Sequence, residues 1–150
     1  MSKWNPKSDY LKYWKVIRYY VQAKYKVSPA DLDMLLFLYS ERYFSQKDFF
    51  EYNQLLSWDR TRFFRLLKED WIVVFRKREK GKKTLYSVSF KGKKMIATMY
   101  KKLNGEEIPM SQSSNPMFAK NVSYFDKVYR NMIVRMNAFI REQRLHRAQK

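Results

Sequence analysis

Apolar residues recur along this chain at two periods, helical on both flanks and strand-like near its middle. Tyr10, Leu11, Trp14, Ile17, Val21 and Tyr25 follow the spacing of one helical face, widened by Tyr13 and Tyr20. Ser8 is placed to cap that helix, which is predicted to run to Tyr25. A face this broad predicts contact with more than one neighbour. Val27-Ser28-Pro29-Ala30-Asp31 then reads as a helix start. Ser28 is the N-cap, Pro29 takes the first helical position, and Asp31 answers three residues after the cap. Leu32, Leu35, Leu36 and Tyr39 predict its core stripe, ending near Arg42. Tyr43-Phe44 suits a short strand. Ser45 and Asp48 repeat the capping pair and open a third helix with Phe49 and Tyr52 inward, and Asn53-Gln54 suits a turn.

Residues 57–70 predict a further helix with Phe63, Phe64 and Leu67 on its inner face. Trp58, Asp59, Thr61, Arg62 and Arg65 fall on the outer face or its flanks, and Arg60 between them. The period then changes. Residues 71–76 and 84–90 are rich in β-branched and aromatic residues, and the basic turn Lys77-Arg-Glu-Lys-Gly-Lys-Lys83 separates them. Lys91-Gly92 punctuates the chain, and Lys93–Leu103 returns to helical spacing through Met95, Ile96, Met99 and Tyr100. Residues 105–117, with two Pro and three Ser, read as a linker. Ser123 and Asp126 form another capping pair, opening a helix predicted from about Val122 to Arg144. Its face carries Phe125, Val128, Tyr129, Met132, Ile133, Met136, Phe139 and Ile140, and the 125, 129, 132, 136, 139 series is close to a heptad seam.

This order predicts a mainly α protein with a small β-hairpin wing. It is expected to be a single domain, with a winged helix-turn-helix core over 28–103 and flanking helices over 8–25 and 118–148. The chain's 150 residues suit one domain of that size.

Charge sharpens the picture. Lys and Arg number 32 against 14 acidic residues, a net charge of +18, which calls for a polyanionic partner. The excess is directional: residues 75–94 hold nine Lys and Arg against one Glu, whereas 28–56 hold two against five acidic residues. Arg76, Lys77, Arg78, Lys80, Lys82 and Lys83 put six cations into eight positions, more than a solvated hairpin tip needs to stay unpaired at its edge. On the preceding helix, Arg62 and Arg65 could reach guanine edges and Thr61 a thymine methyl or a phosphate, with Trp58 and Arg60 beside them.

The absence of cysteine excludes disulfides and thiolate chemistry, and His146 is the single histidine. With no phosphate-binding glycine loop either, the sequence predicts no enzyme, no cofactor and no metal. No stretch is apolar enough to span a bilayer and the first residues are not those of a signal peptide, so a cytoplasmic, nucleoid-associated protein with no membrane partner is expected.

The segment Leu67-Lys68-Glu69-Asp70 leading into Trp71-Ile72-Val73, and Val88-Ser89-Phe90-Lys91-Gly92 leading into Lys93-Lys94-Met95-Ile96, resemble MarR-type winged-helix regulators. The resemblance covers about residues 28–103. It implies a homodimer held by its first and last helices on pseudo-palindromic duplex DNA. The dimer interface would then involve Leu11, Trp14, Ile17, Val21, Phe125, Tyr129, Met132, Met136 and Phe139. It leaves room for a small-molecule effector, though no polar residues converge in sequence to hold one. Two positions depart from the family pattern. Trp71 follows the helix where a glycine is usual, and the wing has Lys80-Gly81-Lys82 where Asp-x-Arg is usual. A lysine there favours phosphate over narrow-groove readout.

The expected function is a winged-helix transcriptional regulator, with helix 57–70 in the major groove and wing 76–83 on the backbone or minor groove. The alternatives are an architectural or genome-packaging protein without sequence preference, and an interaction module within a larger assembly.

Overall fold

The computed structural model describes residues 10–56 and 58–148, and of the side chains those from residue 13 onward. Ser8 and the side chains of Tyr10 and Leu11, each assigned a role above, lie outside the described residues, as does Ser57, the expected start of the helix over 57–70. Among the described residues, six α-helices, one 3₁₀ turn and a two-stranded antiparallel sheet follow in the order α1 (Tyr10–Tyr25), α2 (Pro29–Glu41), α3 (Gln46–Leu56), α4 (Arg62–Lys68), β1 (Ile72–Arg76), β2 (Leu85–Val88), α5 (Phe90–Leu103), the 3₁₀ turn Pro116–Phe118 and α6 (Tyr124–Ala148). The mainly helical fold with one hairpin is compatible with a winged helix. The described residues divide into two compact units, one over 27–97 and the other made of those before 27 with those after 97.

In the unit 27–97, two of the expected helix starts form as the side chains dictate. Ser28 caps α2 by accepting from the Asp31 backbone N–H at 3.2 Å. Ser45 and Asp48 close a reciprocal capping box on α3, at 3.0 and 3.1 Å. The buried face of α2 is Leu32, Met34, Leu35 and Leu38, so Tyr39, expected in the stripe, is exposed. Beyond α2, Arg42 takes φ 69° and ψ −64°, and the Tyr43 N–H donates to the Glu41 carbonyl at 2.9 Å. This γ-turn is a rare, strained conformation. It swings Phe44 into the interior, where its backbone exchanges two hydrogen bonds with Tyr86 of β2 at 3.1 and 2.8 Å. The rings of Phe44, Phe49, Phe63 and Tyr86 then cluster at 5.0–6.2 Å, locking the hairpin to α3 and α4.

The helix expected over 57–70 is shorter, Arg62–Lys68, and its inner face is Arg62, Phe63 and Leu66 rather than Phe63, Phe64 and Leu67. Asn53, expected in a turn, is buried within α3 and donates to the Asp59 carbonyl at 2.7 Å, pinning the loop that follows. Asp70, at φ 64°, ends α4 in the left-handed region that a glycine would more often occupy, and the Trp71 N–H returns to the Leu66 carbonyl at 2.9 Å. Trp71 is thereby free to be buried. Gly92 does not break the chain but lies inside the first turn of α5. A Cβ there would come within 2.5 Å of Val88 Cγ1 and 3.2 Å of the Trp71 carbonyl oxygen, so its role is close packing against the hairpin.

The other unit packs α1 and α6 with the 3₁₀ turn. Tyr19 and Tyr129 stack at 4.0 Å, and the Tyr19 hydroxyl donates to Asp126 at 2.6 Å, an interaction that pushes the phenol up to about 12. The segment read as a linker is ordered and built into this unit: Ile108, Asn115 and Met117 are buried. Asn137 of α6 accepts from the Ile108 N–H at 2.9 Å and donates to the Ile108 carbonyl at 2.7 Å.

Candidate nucleic-acid interface

The hairpin builds the most cationic surface of the unit 27–97. β1 and β2 pair from Ile72 opposite Val88 to Arg76 opposite Leu85, with an irregularity at Phe75. At the tip, Glu79 and Lys82 exchange backbone hydrogen bonds at 3.3 and 2.9 Å, and Gly81 at φ 72° supplies the left-handed residue that this tight turn requires. Lys77, Arg78, Lys80, Lys82 and Lys83 are all exposed, and none is ion-paired among the described residues. Arg76 differs: it is half-buried, with Nη2 donating to the Lys83 carbonyl at 3.3 Å, and so it stiffens the hairpin from within.

The helix side of the interface is rebuilt more thoroughly. Arg62 is buried, with Nε donating to Asp31 at 3.0 Å and Nη1 to the Asn53 side-chain oxygen at 2.5 Å. Arg65 reaches both Asp31 oxygens and, at 3.0 Å, Asp59. Both arginines, assigned above to base edges, therefore face two carboxylates of their own chain. Burial pushes the Asp31 carboxyl up, but hydrogen bonds from Arg65 and Arg62 outweigh it and hold it below the usual range. Hydrogen bonding to Asp31 in turn raises the guanidinium of Arg65. The Asp31 backbone N–H thus meets the Ser28 cap, while its carboxylate ties the start of α2 to α4.

Thr61 is exposed, yet its hydroxyl donates to Asp59 at 2.8 Å. Trp58 is 70% exposed, with the Arg60 guanidinium 5.5 Å from its ring. What α4 presents outward is Thr61, Phe64 and Lys68, spaced i, i+3, i+7 on one side, with Arg60 just before them. The apolar period of the sequence sets this face one residue out of phase, which hides Phe64 and Lys68 as surface residues. Lys91 is not free either: its Nζ donates to the Glu69 carbonyl at 2.8 Å and sits 4.0 Å above the Trp71 ring.

Comparison with protein-family models, curated proteins and solved structures finds no match to this chain. The MarR-type resemblance therefore rests on the order of its elements and on the residues quoted for it.

Among the described residues no cluster of His, Cys, Asp or Glu could hold a metal, and no helix is long and apolar enough to cross a membrane. Of the residues expected at a dimer interface, Ile17, Val21 and Met136 are buried by their own chain. Trp14, Tyr129, Met132 and Phe139 are half-buried, and Phe125 is exposed beside Tyr124 and Val128. The apolar breadth of the terminal helices is thus satisfied only in part within one molecule, with Tyr124, Phe125, Val128, Val134 and Leu145 of α6 exposed.

Proposed function

We propose that this chain binds duplex DNA as a winged-helix protein, with its hairpin on the phosphate backbone and α4 in or along the major groove. The observation that carries the reading is the set of five exposed, unpaired cations at the hairpin tip. Five positive charges held together around a single carboxylate, Glu79, repel one another, and a polyanion relieves that repulsion while releasing its own condensed counterions.

Of the two DNA-binding modes, the architectural one is favoured over the sequence-specific regulator. Bidentate readout of guanine needs a free guanidinium fork. The forks of Arg62 and Arg65 are engaged by Asp31 and Asp59, which leaves on the outward side of the loop and helix one exposed fork, that of Arg60 beside the Trp58 ring, with Thr61, Phe64 and Lys68. Such a surface supports contact with phosphates and thymine methyls more than discrimination among base pairs. A homodimer remains part of the proposal, supported by the exposed apolar start of α6 at Tyr124, Phe125 and Val128.

The test is selection from a randomised duplex pool near 0.15 M salt, followed by a salt titration of the retained pool. Retention without an enriched motif is the expected outcome. Affinity should fall by about 10³–10⁵ between 50 and 200 mM salt if six to ten phosphates are contacted. Enrichment of a two-fold symmetric motif would return the protein to the regulator class, and no retention would end the DNA-binding reading.

A further inference from the structure

The flank of the hairpin and the first turn of α3 enclose an open cleft of about 550 Å³. Four cations line it: Lys47 from α3, and Arg78, Lys82 and Lys83 from the hairpin, with Gln46 and Thr84 as neutral hydrogen-bonding groups. No carboxylate lines it, and none of the four cations is ion-paired among the described residues. The cations come from elements about 30 residues apart in sequence, so the fold brings them together. The helix terminus is not what makes the site, because the capping box of Ser45 and Asp48 already satisfies two of its backbone donors.

We propose that this cleft is a phosphate-binding site that clamps a backbone phosphate of a nucleic-acid strand, with Lys47 as the jaw opposite the hairpin. The proposal rests on the DNA-binding reading above and goes beyond it by assigning a discrete site between the hairpin flank and α3. A point-charge ammonium on each side of a cleft suits a tetrahedral phosphate, which accepts from any direction, better than it suits a planar base edge. Lys47 lies in the acidic stretch 28–56, so charge density along the chain conceals it.

The experiment compares the intact protein with Lys47→Ala and Lys47→Glu in salt titrations on a random-sequence duplex, with inorganic tripolyphosphate as competitor. Lys47 is exposed, so an unchanged denaturation midpoint verifies that the variants are folded. Removing one phosphate-binding cation lowers the salt slope by about 1 without altering any sequence preference. That drop for Lys47→Ala, a larger one for Lys47→Glu, and displacement of DNA by tripolyphosphate together support the clamp. DNA binding with an unchanged slope in both variants overturns the clamp and leaves the DNA-binding reading standing. Lys47-dependent tripolyphosphate binding without DNA binding overturns the strand as occupant and makes the cleft a site for free polyphosphate. Binding of neither overturns both.

Discussion

Asp31 decides more about this protein than its position suggests. An aspartate three residues after a serine cap reads as a first-turn acid favoured by the helix dipole. Its carboxylate instead lies buried against Arg62 and Arg65, each more than 30 residues away. Removing one partner of such a pair leaves an uncompensated buried charge. Asp31→Asn should therefore destabilise the protein by about 3–5 kcal/mol, measured by urea unfolding. The pH dependence has a definite sign. Because the folded carboxyl titrates below the ordinary 3.8, its contribution is fully present above that value and is lost as pH falls through the lower folded value. The native protein should lose stability in that acid range, and Asp31→Asn should lose correspondingly less there. The same burial explains why the two most promising base-reading arginines of the sequence are engaged internally.

At the scale of elements, helix starts are legible in the sequence and helix faces less so. The Ser28 and Ser45 caps are local chemistry, settled by residues within one turn. The faces of α2 and α4 depend on where their neighbours lie, and a broad apolar distribution leaves the phase open by one residue. Segment 105–117 is the clearest case. Its Pro and Ser content suits a linker, but order there comes from Asn137, whose amide closes both hydrogen bonds of Ile108. Asn137→Ala would leave a buried N–H and a buried carbonyl without partners. We expect a destabilisation of roughly 2–6 kcal/mol by chemical denaturation, at ~1–3 per group, together with faster proteolysis within 105–117.

At the scale of the whole molecule, the charge of +18 is the dominant property, and its distribution matters more than its sum. The hairpin tip holds its cations exposed, whereas Arg62 and Arg65 of α4 and Lys91 of α5 are drawn into internal contacts with Asp31, Asp59 and the Glu69 carbonyl. Lys80→Ala combined with Lys77→Ala should reduce the salt slope of duplex binding by about 0.9 for each phosphate that is no longer neutralised. Both residues are exposed, so thermal stability should be nearly unaffected. Equal slopes for variant and parent would mean that the tip does not touch the backbone.

Element order, the hairpin, its cationic tip and the two best helix caps are all written in adjacent residues, through periodicity, turn chemistry or charge density, and so they can be read before any fold is known. Tertiary packing alone turns Arg62 and Arg65 inward, joins Lys47 to Arg78, Lys82 and Lys83 around one cleft, and orders residues 105–117. Those outcomes depend on pairs tens of residues apart in the chain. A side chain's own period cannot reveal whether a distant carboxylate or amide will be there to meet it.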